Sequence, residues 1–134
     1  MLLGQLSEKN KKLFLQLEML LANIDGNFSA SEKVLIEKHC REMGIDPADY
    51  NVNISLDETV NDIYENMSVK EKKIIFIELI TLAVIDGVYD DKEKELVDSL
   101  RKMLGMPEEV GNQALQLVER LVKVSAEIEN FVEW

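Results

Sequence analysis

Two Asp-Gly pairs, each followed by a glutamate, have the residue types and spacing to do chemistry. Asp25 and Glu32 are seven residues apart, and Asp86 and Glu93 have the same separation. Each Asp is predicted at the end of a helix, where the negative dipole makes a carboxylate unfavourable by up to about 1 kcal/mol. A bound cation would remove this penalty, whereas hydrogen bonds from the following turn are a purely structural alternative. The four carboxylates are therefore candidate ligands of a divalent cation, namely calcium, magnesium, manganese or zinc.

The same spacing matches the second half of an EF-hand loop, from its fifth to its twelfth position. The first and third positions would then be Leu21 and Asn23 in one segment, and Leu82 and Val84 in the other. Leu and Val have no side-chain oxygen, which argues against an EF-hand and leaves a looser carboxylate site completed by water. Helix capping is the alternative explanation for the two glutamates.

The two motifs belong to an internal repeat. Residues 7–45 align with residues 68–106 at a constant offset of 61, with 13 identities in 39 positions. Each unit predicts a long helix, over 8–24 and 69–85, then a turn at the Asp-Gly pair and a second helix. If the units pack about a pseudo-two-fold axis, the two Asp-Gly turns would face each other, and their four carboxylates would form one shared site.

Capping residues mark the predicted helix ends. Ser7 and Ser68 are predicted N-caps, and Ser68 opens a Ser-x-x-Glu capping box. Gly44 and Gly105 are predicted to end the second helices, because glycine tolerates the left-handed conformation found there.

Two more helices complete the predicted fold. Asp57 is a candidate cap for a helix over 57–67, and Pro107 precedes a helix that runs to about residue 131. The last helix has one predicted apolar stripe, formed by Val110, Ala114, Leu117, Val118, Leu121, Val122 and Val124. No segment alternates long enough to predict a strand. The sequence thus predicts an all-α, compact bundle of about six helices that forms one domain over residues 1–134.

Composition excludes several classes of function. The chain has 134 residues, a net charge of −11 and a pI of about 4.5. Such a charge repels nucleic acid and anionic lipid and favours cations or a basic protein partner, with solubility as the alternative reason for the acidity. Without a signal peptide or a long apolar run, we expect a cytoplasmic protein with no membrane insertion. Cys40 is predicted to be a partly buried, inert thiol, because neighbouring His39 points about 100° away on the same helix and a Cys-His dyad is therefore disfavoured.

The segments Leu-Ala-Asn-Ile-Asp-Gly-Asn-Phe-Ser-Ala-Ser-Glu at 21–32 and Leu-Ala-Val-Ile-Asp-Gly-Val-Tyr-Asp-Asp-Lys-Glu at 82–93 resemble the signature of the TerB-like (tellurite resistance protein B-like) family. The resemblance extends over about 7–106. It implies a compact all-α domain with an internal repeat, a role in tellurite or chemical-stress systems, and acidic residues that chelate a divalent metal. Its candidate ligands are again the two Asp and two Glu of the repeated motif.

We therefore expect a non-enzymatic, metal-associated domain of the stress or tellurite-resistance type. The alternative is an acidic helical scaffold that binds a protein partner and no metal. A hydrolase that uses paired carboxylates is disfavoured, because the sequence has no nucleophile elbow, metal-binding His pair or phosphate loop. Trp134, at the end of the sequence, either packs on the core or provides a homodimer contact.

Overall fold

The computed structural model describes residues 2–22, 30–46, 55–84 and 91–133. In these residues it shows six α-helices and no strand, so the all-α prediction is confirmed. A short 3-10 helix at Leu3–Gln5, which was not predicted, precedes the first of them. The helices are α1 (Glu8–Ala22), α2 (Ala30–Met43), α3 (Leu56–Asn66), α4 (Val69–Val84), α5 (Asp91–Met103) and α6 (Glu108–Val132).

The helix bounds follow the offset of the repeat. Both α1 and α2 begin 61 residues before α4 and α5, respectively. The packing follows it as well: α1 contacts α2 and α3, whereas α4 contacts α5 and α6. Contacts between α3 and α5 join the two sets of helices. The Asp-Gly turns between the paired helices lie outside the described residues.

The predicted caps at the starts of α1 and α4 are confirmed. Ser7 Oγ accepts a hydrogen bond from the Asn10 backbone N–H at 3.2 Å. Ser68 Oγ accepts from the Glu71 N–H at 3.2 Å, and Glu71 Oε1 accepts from the Ser68 N–H at 3.3 Å, which completes the capping box. At α3 the predicted cap was wrong. Ser55, with an extended backbone, accepts from the Glu58 N–H, so that Asp57 falls within the first helical turn.

Gly44 and Gly105 end α2 and α5 as predicted, with φ of +73° and +71°. After each glycine the chain closes with the same pair of hydrogen bonds, from Gly44 N to Arg41 O and from Ile45 N to Cys40 O in the first unit. This is the helix-ending motif that the left-handed residue makes possible. The two sites differ in their surroundings: a Cβ at Gly105 would lie 3.0 Å from Tyr64 Cε2, whereas a Cβ at Gly44 has no neighbour within 4 Å.

Replacing each glycine with alanine is expected to separate these two effects. Gly44→Ala should lower the free energy of unfolding by about 1 kcal/mol, the usual penalty of a left-handed non-glycine residue. Gly105→Ala should lower the free energy of unfolding further, by up to about 1 kcal/mol more than Gly44→Ala does, because the Tyr64 ring must also move. Urea denaturation followed by circular dichroism measures both. Equal losses would show that Tyr64 moves aside freely.

The core lies between α1 and α4 and the helices that cover them. Its largest fully buried apolar side chains include Phe14, Phe76, Leu15, Leu17, Ile75 and Ile80. The apolar stripe predicted on α6 divides into two sets. Val118 is buried and Val122 packs at the edge of the core, whereas Leu117, Leu121 and Val124 are exposed. The predicted residues do lie on one side of α6, but the stripe is wide and only the edge that includes Ala114, Val118 and Val122 meets the core.

Candidate functional site

The predicted metal ligands fall at or beyond the limits of the described residues. Asp25 and Asp86 lie outside them. Glu32 lies in the first turn of α2 and is half-buried, and Glu93 lies in the first turn of α5, where its side chain is not described. Among the side chains that are described, no group of three or more His, Cys, Asp or Glu could hold a metal ion. The four-carboxylate site stays a prediction.

A buried cluster of three ionisable side chains, which the sequence analysis did not predict, joins three helices. His39 of α2 lies between Glu18 of α1 and Glu78 of α4. Its Nδ1 is 2.6 Å from Glu18 Oε1, and its Nε2 is 3.2 Å from Glu78 Oε2. The three side chains expose between 0% and 5% of their surface. We refer to them as the Glu-His-Glu cluster.

The repeat shows why this cluster occurs only once. At the matching positions of the other unit, Glu18, His39 and Glu78 are each replaced by leucine: Leu79, Leu100 and Leu17. Each member of the cluster therefore occupies a position that faces the core in both units. An ionisable residue at such a position needs a partner, since an isolated buried charge is strongly unfavourable.

The imidazole carries a proton on both nitrogens. Burial alone would lower the pKa of His39, but the hydrogen bonds to Glu18 and Glu78 outweigh it and raise the pKa from 6.5 to about 9. Both ring nitrogens therefore donate at neutral pH, one to each carboxylate. Phe14 lies against the ring, with centroids 5.7 Å apart.

The two carboxyl groups shift in opposite directions. Burial raises the pKa of Glu18 despite its bond to His39, and its buried Oε2 has no hydrogen-bond partner among the described residues. Burial would raise the pKa of Glu78 too, but the hydrogen bonds from His39 and from the Leu2 N–H lower it. Glu78 is therefore the carboxylate that compensates the imidazolium, and Glu18 is the one more readily protonated.

The chemistry open to this cluster is limited by its enclosure. Both imidazole nitrogens are already bound by carboxylate oxygens, so neither can bind a metal without breaking the cluster. The near-complete burial of all three side chains also keeps substrates away from the described arrangement. What the geometry does support is a cross-link of α1, α2 and α4 by charge-assisted hydrogen bonds.

The segment before α1 closes over one side of the cluster. The backbone N–H of Leu2 donates to Glu78 Oε1 at 3.3 Å, and that of Leu3 donates to Glu42 Oε1 at 3.2 Å. The Leu3 side chain is fully buried. The 3-10 helix is therefore held against both α2 and α4.

A second polar contact joins α1 to α4. Asn10 Nδ2 donates to Glu71 Oε2 at 2.6 Å, and this bond lowers the pKa of Glu71. Asn10 lies eight residues before Glu18 in α1, and Glu71 lies seven residues before Glu78 in α4. The direct bond near the helix starts and the bridge through His39 further along come in the same order on both helices, so α1 and α4 run in a broadly common direction.

Cys40 is completely buried, and burial raises the pKa of its thiol to about 11. A thiol that is protonated and enclosed is a poor nucleophile. This agrees with the prediction that it is inert.

No helix in the described parts of the chain combines the length and the apolar character needed to cross a membrane.

Comparison with known proteins gives a match at the level of structure. The crystal structure of a tellurite resistance protein from Nostoc punctiforme has a TM-score of 0.70 with this chain at 20% sequence identity. The chain shares its fold with that protein. The match covers 95% of this chain and 82% of the Nostoc chain. No protein-family model and no curated protein matches the sequence.

Sequence reasoning missed the Glu-His-Glu cluster although a signal was present. Glu78 interrupts the run Ile-Ile-Phe-Ile that precedes it, and Glu18 interrupts a similar run of leucines in α1. An acid inside an apolar run, where the other unit has leucine, indicates a buried charge. The single histidine of the chain, His39, is the natural candidate for its partner.

Proposed function

We propose that this chain is a non-enzymatic domain of the tellurite-resistance type that binds a divalent cation. The ligands are Asp25, Glu32, Asp86 and Glu93, two from each unit of the repeat. The fold shared with the Nostoc tellurite resistance protein and the TerB-like motifs both support this function. The observation that carries the proposal is the common direction of α1 and α4.

The direction of these helices matters because each one leads into an Asp-Gly pair. Asp25 follows the end of α1 at Ala22 by three residues, and Asp86 follows the end of α4 at Val84 by two. Three residues span at most about 11 Å, and two span about 7 Å. Since both helices end on the same side of the bundle, this supports a site shared by the two units.

The donor set favours a hard cation. Four carboxylates and the backbone carbonyls of two turns are oxygen donors, which suit calcium, magnesium and manganese better than zinc. Pooling four carboxylates without a cation would be unfavourable by mutual repulsion, which a bound divalent ion removes. No reaction is assigned to the ion: its proposed role is to join the two units.

Calorimetric titration with each of the four cations tests the proposal. The intact protein should bind at least one of them, and Asp25→Asn/Asp86→Asn should weaken that binding at least about tenfold. The matched control is Asp57→Asn/Glu58→Gln, which removes the same charge from exposed positions in the first turn of α3 and should leave the affinity unchanged.

Equal heats in the intact protein and the Asp25→Asn/Asp86→Asn variant would contradict the metal site. They would favour the acidic scaffold, for which the carboxylates are structural. Loss of binding in both double variants would also contradict it, because it would show a response to net charge instead of bound ligands.

A further inference from the structure

The second half of α6 presents an apolar face that the described part of the chain does not cover. Its side chains expose between 40% and 79% of their surface, Leu121 the least and Phe131 the most. From Lys123 to Glu133 every residue is exposed, so this end of the helix extends beyond the core. The face consists of Leu117, Leu121, Val124, Ile128 and Phe131. We call it the α6 face.

The spacing of the α6 face is that of a coiled coil. Its residues follow one another at steps of four, three, four and three, which keeps them on one side of the helix as a heptad seam. Such a continuous apolar surface is uncommon on a monomer and typically marks a contact with another protein. The α6 face, which is also the heptad seam of this helix, spans 15 residues, a length of about 22 Å.

We propose that the α6 face pairs with the α6 face of a second copy of this chain, in the antiparallel direction. In this arrangement Leu121 packs beside Val124 of the second copy, and Leu117 beside its Ile128. The same contacts then recur on the other side of a two-fold axis, so that one surface serves both copies. Phe131 extends toward Ala114 of the second copy, at the edge of its core.

The charges beside the seam select this direction. Arg120 and Glu127, both exposed, each lie directly before a seam residue, on the side away from the core. Antiparallel pairing brings Arg120 next to Glu127 of the second copy, twice per dimer. Parallel pairing would instead place Arg120 opposite Ser125 and Glu127 opposite Val132. Only the antiparallel dimer gives both charges a partner of opposite sign.

A second copy also fits the surface better than a membrane or a basic partner. With a net charge of −11 the chain is repelled by anionic lipid. A basic partner would be attracted by the acidic surface, yet the seam itself is uncharged and its flank carries one charge of each sign. A surface with that pattern is complementary to itself.

Sedimentation equilibrium with a metal chelator present tests the pairing independently of the proposed cation site. The intact chain should show a concentration-dependent dimer, and Leu121→Glu should be a monomer. Because Leu121 is already exposed, its circular dichroism and melting temperature at low concentration should not change. The matched control is Glu119→Lys, on the opposite side of α6, which should remain dimeric. A monomeric intact chain, or a dimer that survives Leu121→Glu, would overturn the proposal.

Charge reversal tests the direction. Arg120→Glu and Glu127→Arg should each weaken the dimer at least about tenfold, because each places like charges together. The double variant Arg120→Glu/Glu127→Arg should recover the original affinity, since both pairs are then re-formed with their signs exchanged. Failure of the double variant to recover would overturn the antiparallel pairing.

Cysteine cross-linking gives a second measure of direction. A mixture of Leu117→Cys and Ile128→Cys chains should form disulfide-linked heterodimers, whereas Ile128→Cys alone should not cross-link, since in the antiparallel dimer its two copies are far apart. Cys40 is fully buried and does not interfere. Cross-linking of Ile128→Cys with itself, but not with Leu117→Cys, would show a parallel dimer and overturn the proposal.

Discussion

Replacing His39 with leucine is expected to lower the free energy of unfolding by about 3–5 kcal/mol, which is the usual effect of removing one partner from a buried ion pair. The variant leaves Glu18 and Glu78 buried together without the imidazolium between them. Leucine itself suits the position, because the matching residue of the other unit is Leu100. The loss would therefore come from the two unpaired acids and not from poor packing. Urea denaturation followed by circular dichroism measures it.

The matched variant replaces the whole cluster, as Glu18→Leu/His39→Leu/Glu78→Leu. Its free energy of unfolding should be no more than about 1 kcal/mol below that of the intact protein. An apolar core of similar volume is commonly as stable as a buried ionic group, or more stable. Water can replace the Glu78 oxygen at the Leu2 N–H, since Leu2 is partly exposed. If His39→Leu is as stable as the triple variant, the cluster does not cross-link the helices.

Stability is expected to fall by roughly 3 kcal/mol between pH 6.5 and pH 9. The pKa of His39 is raised in the folded state, so its contribution is fully present below pH 6.5 and is lost as the pH rises to about 9. The pKa of Glu18 is also raised in the folded state, so its contribution to stability is likewise lost as the pH rises. Glu78 acts oppositely, because its lowered pKa gives a contribution that is lost only as the pH falls below 4.5.

Denaturation at a series of pH values in the intact and triple-leucine proteins isolates this effect. The triple variant should lose the decline between pH 6.5 and pH 9. Cys40 is present in both proteins and has a pKa of about 11 in the fold, against an ordinary value of 9.0, so its titration lies above this range. A decline of the same size in both proteins would assign it to groups outside the cluster.

Most of the fold could be predicted from local signals. The starts of α1 and α4 follow from Ser7 and Ser68, and the ends of α2 and α5 follow from two glycines, because capping depends on residues close in sequence. The apolar residues of α6 were also recognised. Their division between core and solvent was not, because it depends on where α4 and α5 lie against the helix.

The candidate sites also differ in whether their residues are close together in the sequence. Glu18, His39 and Glu78 come from three helices, and no sequence spacing indicates that they meet. The repeat nevertheless contains the signal, since an acid that takes the place of leucine at a core position requires a partner. The Asp-Gly…Glu motif is visible in the sequence because all of its residues are close together in the chain.

The hydrogen bond between Asn10 and Glu71 shows how the two units of the repeat can differ where they meet. These residues occupy matching positions of the repeat, so the two units meet there through the same position of each. In a symmetric pair of identical units the same residue would meet itself there, as two asparagines or two repelling glutamates. One continuous chain removes that constraint, because each half can mutate alone. The Asn10–Glu71 pair, and a Glu-His-Glu cluster whose matching residues in the other unit are three leucines, are asymmetries that two identical units could not have.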